Sequence, residues 1–299
     1  MDNIGLVLEG GGMKGLYTAG VLEFFMEQNL FFPYVIGVSA GACMAASYLS
    51  RQKGRNKKVN IGLANDPRYL SFRNFIRKRQ LFGMDFLFDE IPNKIVPFDF
   101  ETMLNGNEQF VVGTTDCDTG KAVYYNKKEH GKDILQIIRA SSSVPLIAPA
   151  VEYDEKKLLD GGIADPIPLK KAQYDAFQKN VVIMTKPKGY QKQRSRLSSI
   201  TRFVYRSHPN LSSLLDEHYL LYNETLSYLQ SEEQKGNVYV IQPSTDIPLS
   251  GIERNQQRLT YMYELGYQDA KRQFESLKRW INHGECNIHP EINGLYQRT

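Results

Sequence analysis

Three short turns carry the residue types and spacings in this chain that could do chemistry. EGGGMKG places Gly10, Gly12 and Gly15 in the G-x-G-x-x-G pattern that often cradles a phosphate. GVSAG, from Gly37 to Gly41, is a G-x-S-x-G centred on Ser39, and DGG sets Asp160 ahead of Gly161 and Gly162. A dinucleotide site would need an acidic residue at the end of the second strand, where it could hold ribose hydroxyls. Ser39 stands there instead. A P-loop needs Ser or Thr after its lysine, and Lys14 is followed by Gly15. The glycine turn is therefore not read as a nucleotide site.

Ser39 lies between the apolar run YVIGV and the small-residue run AGACMAASYL, the strand-to-helix context that a nucleophile elbow requires. Such a turn pushes the serine out at the carboxyl end of its strand, with a helix N-terminus behind it to favour developing negative charge. Only one helix and one strand fit between Gly12 and Ser39, so the two turns belong to neighbouring strands about 4.8 Å apart. They then open into one crevice. The turn from Gly10 through Met13, through the amides of Gly11, Gly12 and Met13, is expected to face an oxyanion formed when Ser39 attacks an acyl carbon.

A serine hydroxyl needs a base. None of the five histidines, His130, His208, His218, His283 and His289, lies in a glycine-rich turn or ends a clear strand. Asp160 is the better candidate: an apolar Leu-Leu pair precedes it and two glycines let the chain turn past its carboxylate. Its solution pKa near 4 is low for a base, so partial burial must raise it. Two other readings stay open. Asp160 followed by His208 or His218 has the chain order of a Ser-His-Asp α/β-hydrolase, although that fold places several strands before its nucleophile and here one precedes the nucleophile's own. A non-catalytic lipid- or nucleotide-binding protein could also keep the turns for shape.

The elements that must position these turns follow from hydrophobic periodicity. IGLVL at 4–8 and YVIGV at 34–38 read as buried strands, and residues 16–28 as the helix between them. Residues 51–100, charged and aromatic, read as a helical excursion. Strands at 109–116 and 121–126 flank an Asp118-Thr119-Gly120 turn and predict a hairpin. A helix is expected over 132–142, strands at 181–186 and 238–243, and a long amphipathic helix over 253–281. At 299 residues, with 41% hydrophobic and 23% charged residues, the composition is that of a folded α/β protein. A net charge of +4 is too small to argue for nucleic acid. Three cysteines, Cys43, Cys117 and Cys286, exclude a disulfide scaffold. With no basic leader before the first strand and no run of about 18 apolar residues, a cytoplasmic protein is expected.

The three motifs, in this order, resemble those of the patatin-like phospholipases, and its bacterial cytoplasmic members most. EGGGMKG is similar to the family's oxyanion loop, GVSAG to its nucleophile elbow and DGG to its aspartate motif, while RASSSVPLIAP resembles the linker into the latter. Lys14 stands where arginine is frequent, keeping the charge without the bidentate fork. Asp165 stands where asparagine is common. The resemblance covers residues 4–168. It implies a three-layer α/β/α sandwich with a mainly parallel sheet and a Ser39–Asp160 dyad. Supporting positions would be Lys14, Gly15, Gly37, Gly41, Gly161 and Gly162. It also implies hydrolysis of lipid acyl esters with neither metal nor cofactor. A catalytic domain over 1–245 and a helical extension over 246–299 packed on the core are expected. Basic segments 51–58, 73–79 and 186–196 are candidate contacts for an anionic membrane, the second interleaved with Phe72, Phe75 and Ile76 like an interfacial helix. No nucleic-acid partner is expected.

Overall fold

The structure, a computed structural model, describes residues 3–283, so Cys286 and His289 lie outside the described residues. Apolar runs buried along their whole length form the central strands β1 (Ile4–Leu8) and β2 (Tyr34–Val38). They are joined in one sheet by β3 (Gln109–Asp116), β4 (Ala122–Asn126), β5 (Val151–Tyr153), β6 (Lys156–Asp160), β7 (Lys179–Ile183) and β8 (Val238–Ile241). The pairing runs β5-β6-β3-β2-β1-β7-β8, with β4 also on β3. From β3 to β8 the strands are parallel, while β4, β5 and β6 add antiparallel pairs.

Register along β3 decides where the site forms. Val111, Val112 and Gly113 pair with β2 and with β4, while Thr114 and Thr115 pair with β4 and with β6. A strand has two edges, so β4 fills one, and β2 followed by β6 shares the other. β2 ends with Val38 opposite Gly113, and β6, running the other way, ends with Asp160 opposite Thr114. The carboxyl ends of β2 and β6 thus meet head to head.

Side-chain alternation splits the strands between two cores. Leu6, Leu8, Val35, Val181 and Ile183 pack with helices Leu16–Glu27, Ala40–Leu49, Ile134–Ser141 and Gln256–His283. Val7, Ile36, Val111 and Val182 face helices Leu169–Tyr174 and Pro209–Gln234. These are the three layers expected. The long helix Gln256–His283 lies against Leu16–Glu27 at a glycine seam. A Cβ on Gly20 would come 1.9 Å from the Tyr263 carbonyl, and one on Gly266 2.0 Å from that of Tyr17.

The predicted strands, the hairpin at Asp118–Gly120 and the helical excursion are present at or near their expected positions. Several elements go beyond the sequence reading, the helices Leu169–Tyr174 and Ser198–Val204 and two more among them. Hairpin β5–β6 precedes Asp160, its first strand only three residues long. Helix Pro209–Gln234 buries only Leu211, Tyr222, Leu229 and Glu232 of its length, too sparse a stripe to stand out.

Candidate active site

Ser39 begins the helix Ala40–Leu49 with φ 52° and ψ −127°, a backbone region that costs a residue with a side chain of order 1–3 kcal/mol. The surroundings hold it there. Its amide donates to the Ser141 hydroxyl at 2.8 Å, and that hydroxyl donates to the Gly113 carbonyl at 2.6 Å. The Ser39 carbonyl accepts the Cys43 amide at 3.1 Å. Close approach needs bare glycines: a Cβ on Gly15 would meet that of Ala40 at 2.6 Å, and one on Gly41 the Leu8 carbonyl at 2.5 Å. A Cβ on Gly37 would meet the Ala42 amide nitrogen at 2.8 Å.

Asp160 is held as firmly. Its amide donates to the Ser143 carbonyl at 3.0 Å, and its carbonyl accepts the Thr115 hydroxyl at 2.8 Å. Oδ1 accepts the Gly162 amide at 2.8 Å. Gly161 passes over the Gly113 carbonyl so closely that a Cβ would lie 2.0 Å from it. Ser39 and Asp160 are both buried, and the serine hydroxyl acts on the carboxylate without a close, well-aligned hydrogen bond between them. Catalytic contacts commonly tighten only when substrate binds. Burial pushes the Asp160 carboxyl up to about 6, against the opposing pull of the Ser39 hydroxyl, the Gly162 amide and the Lys192 ammonium. A carboxyl at that level is a competent base near neutral pH.

The glycine loop lies beside them, with a Cβ on Gly10 falling 3.0 Å from that of Ser39. Gly12 takes φ +56°, where only glycine is unstrained. Gly11 and Gly12 leave their amides without a partner among the described residues. Met13 differs from the sequence expectation: its amide donates to the Gly251 carbonyl at 3.0 Å, because the turn leading into the C-terminal helix packs on the loop. Lys14 is half-buried next to Gly11, and burial and the neighbouring Lys186 lower its pKa.

An apolar cavity of about 140 Å³ starts at Gly12, Met13 and Ser39. Met44, Tyr69, Phe82, Leu87, Phe98 and Ile138 line it, so the helical excursion supplies much of its wall. Cys43 also lines it, but burial pushes its thiol up to about 11, and a protonated thiol is a poor nucleophile.

The histidines with described side chains, His130, His208 and His218, stand apart from this pair. His208 Nδ1 lies 2.9 Å from Asp118 Oδ1 and His130 contacts Tyr153. His218 comes nearest through Nε2, which donates to the Gly162 carbonyl at 2.8 Å; burial first, then Lys192, lowers its pKa to about 4. It contacts the aspartate turn through backbone alone. Sequence reasoning passed over Ser141 and Thr115, which pin the two turns to β3. The signal for Ser141 was a hydroxyl-rich run, RASSS, at the end of an apolar helix, and for Thr115 the Thr-Thr pair near the end of an apolar strand.

Several side chains of two basic segments have partners within the protein. In 51–58, Arg51 stacks on Phe31 and pairs with Glu108, Arg55 lines the cavity against Phe98, and Lys57 pairs with Glu264. In 186–196, Lys186 and Lys192 turn inward. The segment 73–79 forms an exposed helix, as expected.

A three-layer sandwich with a G-x-S-x-G turn at the carboxyl edge of a mainly parallel sheet defines the class to which this fold belongs. The chain belongs to the patatin-like phospholipase family, whose model matches residues 6–172, within a class of lipid hydrolases. A domain of unknown function, DUF6363, matches residues 208–282. The chain is 26% identical over 270 residues to the uncharacterised protein YjjU of Escherichia coli (strain K12), covering 88% of this chain and 74% of that one. It is 21% identical over 321 residues to lysophospholipase NTE1 of Candida albicans, covering 99% of this chain but only 21% of that much longer protein. The fold is similar to the crystal structure of VipD from Legionella pneumophila, with a TM-score of 0.55, 13% identity, and coverage of 92% of this chain and 67% of that one. No helix among the described residues is long and apolar enough to cross a membrane.

Proposed function

We propose that this chain is a lipid acyl hydrolase of the phospholipase A or lysophospholipase kind, with Ser39 as nucleophile and Asp160 as its base. The observation that carries this reading is the head-to-head meeting of β2 and β6, which brings a strained serine and a raised carboxyl together at the end of an apolar cavity. As Ser39 Oγ attacks the ester carbonyl carbon, its proton passes to Asp160. The amides of Gly11 and Gly12 receive the oxyanion. Collapse expels the alkoxide, which takes the proton back from Asp160, and leaves the acyl chain esterified to Ser39 in the cavity. Water then repeats the sequence: it gives its proton to Asp160 and attacks the acyl carbon, freeing the acid and restoring Ser39. The name lysophospholipase carried by the Candida albicans relative agrees with this chemistry.

Residues 1–245 would form the catalytic domain, with 246–299 as a helical extension packed on it. Two short helices are suited to meet an anionic lipid surface. Phe72–Lys78 exposes Phe72 and Ile76 beside Arg73 and Arg77, and Ser198–Val204 exposes Ile200 and Phe203 beside Arg202.

Ser39→Ala is expected to abolish ester hydrolysis and labelling by a fluorophosphonate, with the loss of about 10⁴-fold or more in kcat. Unchanged turnover in that variant would reject the assignment. Replacing His208 or His218 by Gln should leave most activity in place, and a total loss at either would favour a Ser-His-Asp triad.

A further inference from the structure

The glycine loop has a second side. Gly10 borders Ser39, but Gly11 faces the other way: a Cβ there would lie 2.7 Å from the Thr185 hydroxyl and 3.5 Å from Lys14 Cβ. The Lys186 ammonium donates to that same Thr185 hydroxyl at 2.9 Å and sits 3.6 Å from Glu9 Oε1. Lys192 approaches from the far side. Its amide and carbonyl are clamped by the Asn223 side chain at 2.9 and 3.0 Å, and its ammonium lies 5.2 Å from the Tyr222 ring centroid, with the Tyr222 hydroxyl donating to Glu9.

Three half-buried lysines therefore surround one edge of the loop. The carboxylates that face them are Glu9, Asp160 and Asp246. Glu9 is buried and its oxygens are already engaged by the Thr185 amide, the Thr185 hydroxyl and Tyr222. Asp160 Oδ1 already accepts the Gly162 amide, and Asp246 is exposed. Among the described residues, neither the Lys14 nor the Lys192 ammonium has a hydrogen-bond acceptor or an ion pair. Desolvation lowers the pKa of both, and the lysines lower one another. An arriving anion would supply the acceptors and relieve that repulsion together.

We propose that Lys14, Lys186 and Lys192 form a phosphate subsite beside the glycine loop, which holds the head-group phosphate of an anionic acyl ester while Ser39 attacks its acyl carbonyl. The subsite rests on the hydrolase reading above and adds a selectivity to it. The cavity at Ser39 takes the chain, the lysine edge takes the phosphate, and the loop between them faces the carbonyl. Uncharged glycerides lack the group that this edge would recognise.

The test compares short-chain, monomeric substrates, so that membrane binding plays no part: dihexanoylphosphatidate against dihexanoylglycerol. Wild type is expected to favour the phosphate-bearing ester by at least about tenfold in kcat/KM. Lys192→Met and Lys186→Met should each reduce that ratio several-fold, and Lys192→Arg should retain it. Lys192→Met is the leading variant because its ammonium has no partner to orphan, and thermal unfolding checks that each variant is folded. A ratio near one in wild type, or a ratio that survives both Met variants, overturns the subsite. A separate arm measures binding of glycerol 3-phosphate and of inorganic phosphate to Ser39→Ala by calorimetry, which needs no turnover. Tighter binding of glycerol 3-phosphate, weakened by Lys192→Met, supports the subsite even if neither ester is hydrolysed, an outcome that would reject the hydrolase reading alone. Equal binding of both, or none, overturns the head-group assignment.

Discussion

Gly161, at the aspartate turn, and Gly266, on the long C-terminal helix, both touch a neighbouring backbone so closely that a Cβ would lie 2.0 Å from a carbonyl oxygen. The consequences differ. At the turn, close approach brings together a serine with φ 52° and a carboxyl pushed up to about 6. Both conditions cost stability, and the proposed mechanism uses both. At the seam, the same closeness lets two helices pack backbone to backbone, locked by the buried Tyr17 hydroxyl donating to Asp269 at 3.1 Å. Nothing there is strained for a reaction. Stability and activity should accordingly separate between the two regions.

Asp160→Asn is the sharpest way to break that division. It should lower kcat by about 10²–10⁴-fold and stabilise the fold. The sign follows from linkage. The native carboxyl, at about 6 against an ordinary 3.8, holds its proton more tightly than the unfolded chain does, so wild-type stability falls as pH rises from about 4 through 6. The variant lacks that loss and should gain up to about 3 kcal/mol at pH 8 and almost nothing below pH 4. Urea denaturation at both pH values measures the gain. A variant no more stable at pH 8 would mean that the carboxyl is not raised. For the wild type, kcat/KM should climb as pH passes about 6, where the proposed base ionises.

Gly266→Ala probes the other side. Alanine in a helix is favoured over glycine by about 1 kcal/mol, but a Cβ 2.0 Å from the Tyr17 carbonyl forces the helices apart. A net loss of about 2–4 kcal/mol is expected, with kcat per folded molecule unchanged within about twofold. Thermal unfolding beside active-site titration reads both quantities. Neutral or improved stability would show that the seam tolerates a Cβ and that close backbone contact does not hold it.

Ser141→Ala is the smallest step and lies between the two regimes. It orphans the Ser39 amide and the Gly113 carbonyl, which should cost about 1–2 kcal/mol of stability. Because Ser141 positions the elbow without touching substrate, kcat should fall about tenfold at nearly constant KM. A change in KM alone would contradict that role.

Much of the site was legible in the sequence because strand-to-helix turns have local requirements. Gly37, Ser39 and Gly41 announce an elbow through residue type and through the apolar runs on either side, and the short span from Gly12 to Ser39 makes β1 and β2 neighbours. Helix Pro209–Gln234 and hairpin β5–β6 were illegible for the opposite reason. One buries too few residues to show a stripe, and the other is too short to show a period.

The sequence by itself determined the local conformations: which turns hold glycine, which strands are buried on both faces, and that a serine and an aspartate sit where chains turn sharply. Only the tertiary structure decided that β6 takes over from β2 along the same edge of β3, that Met13 gives its amide to Gly251, and that Lys186 and Lys192 turn inward toward Glu9. Those outcomes depend on register and burial between segments more than a hundred residues apart. Side-chain spacing along one segment carries no information about them, because pairing and desolvation are properties of the neighbours that arrive.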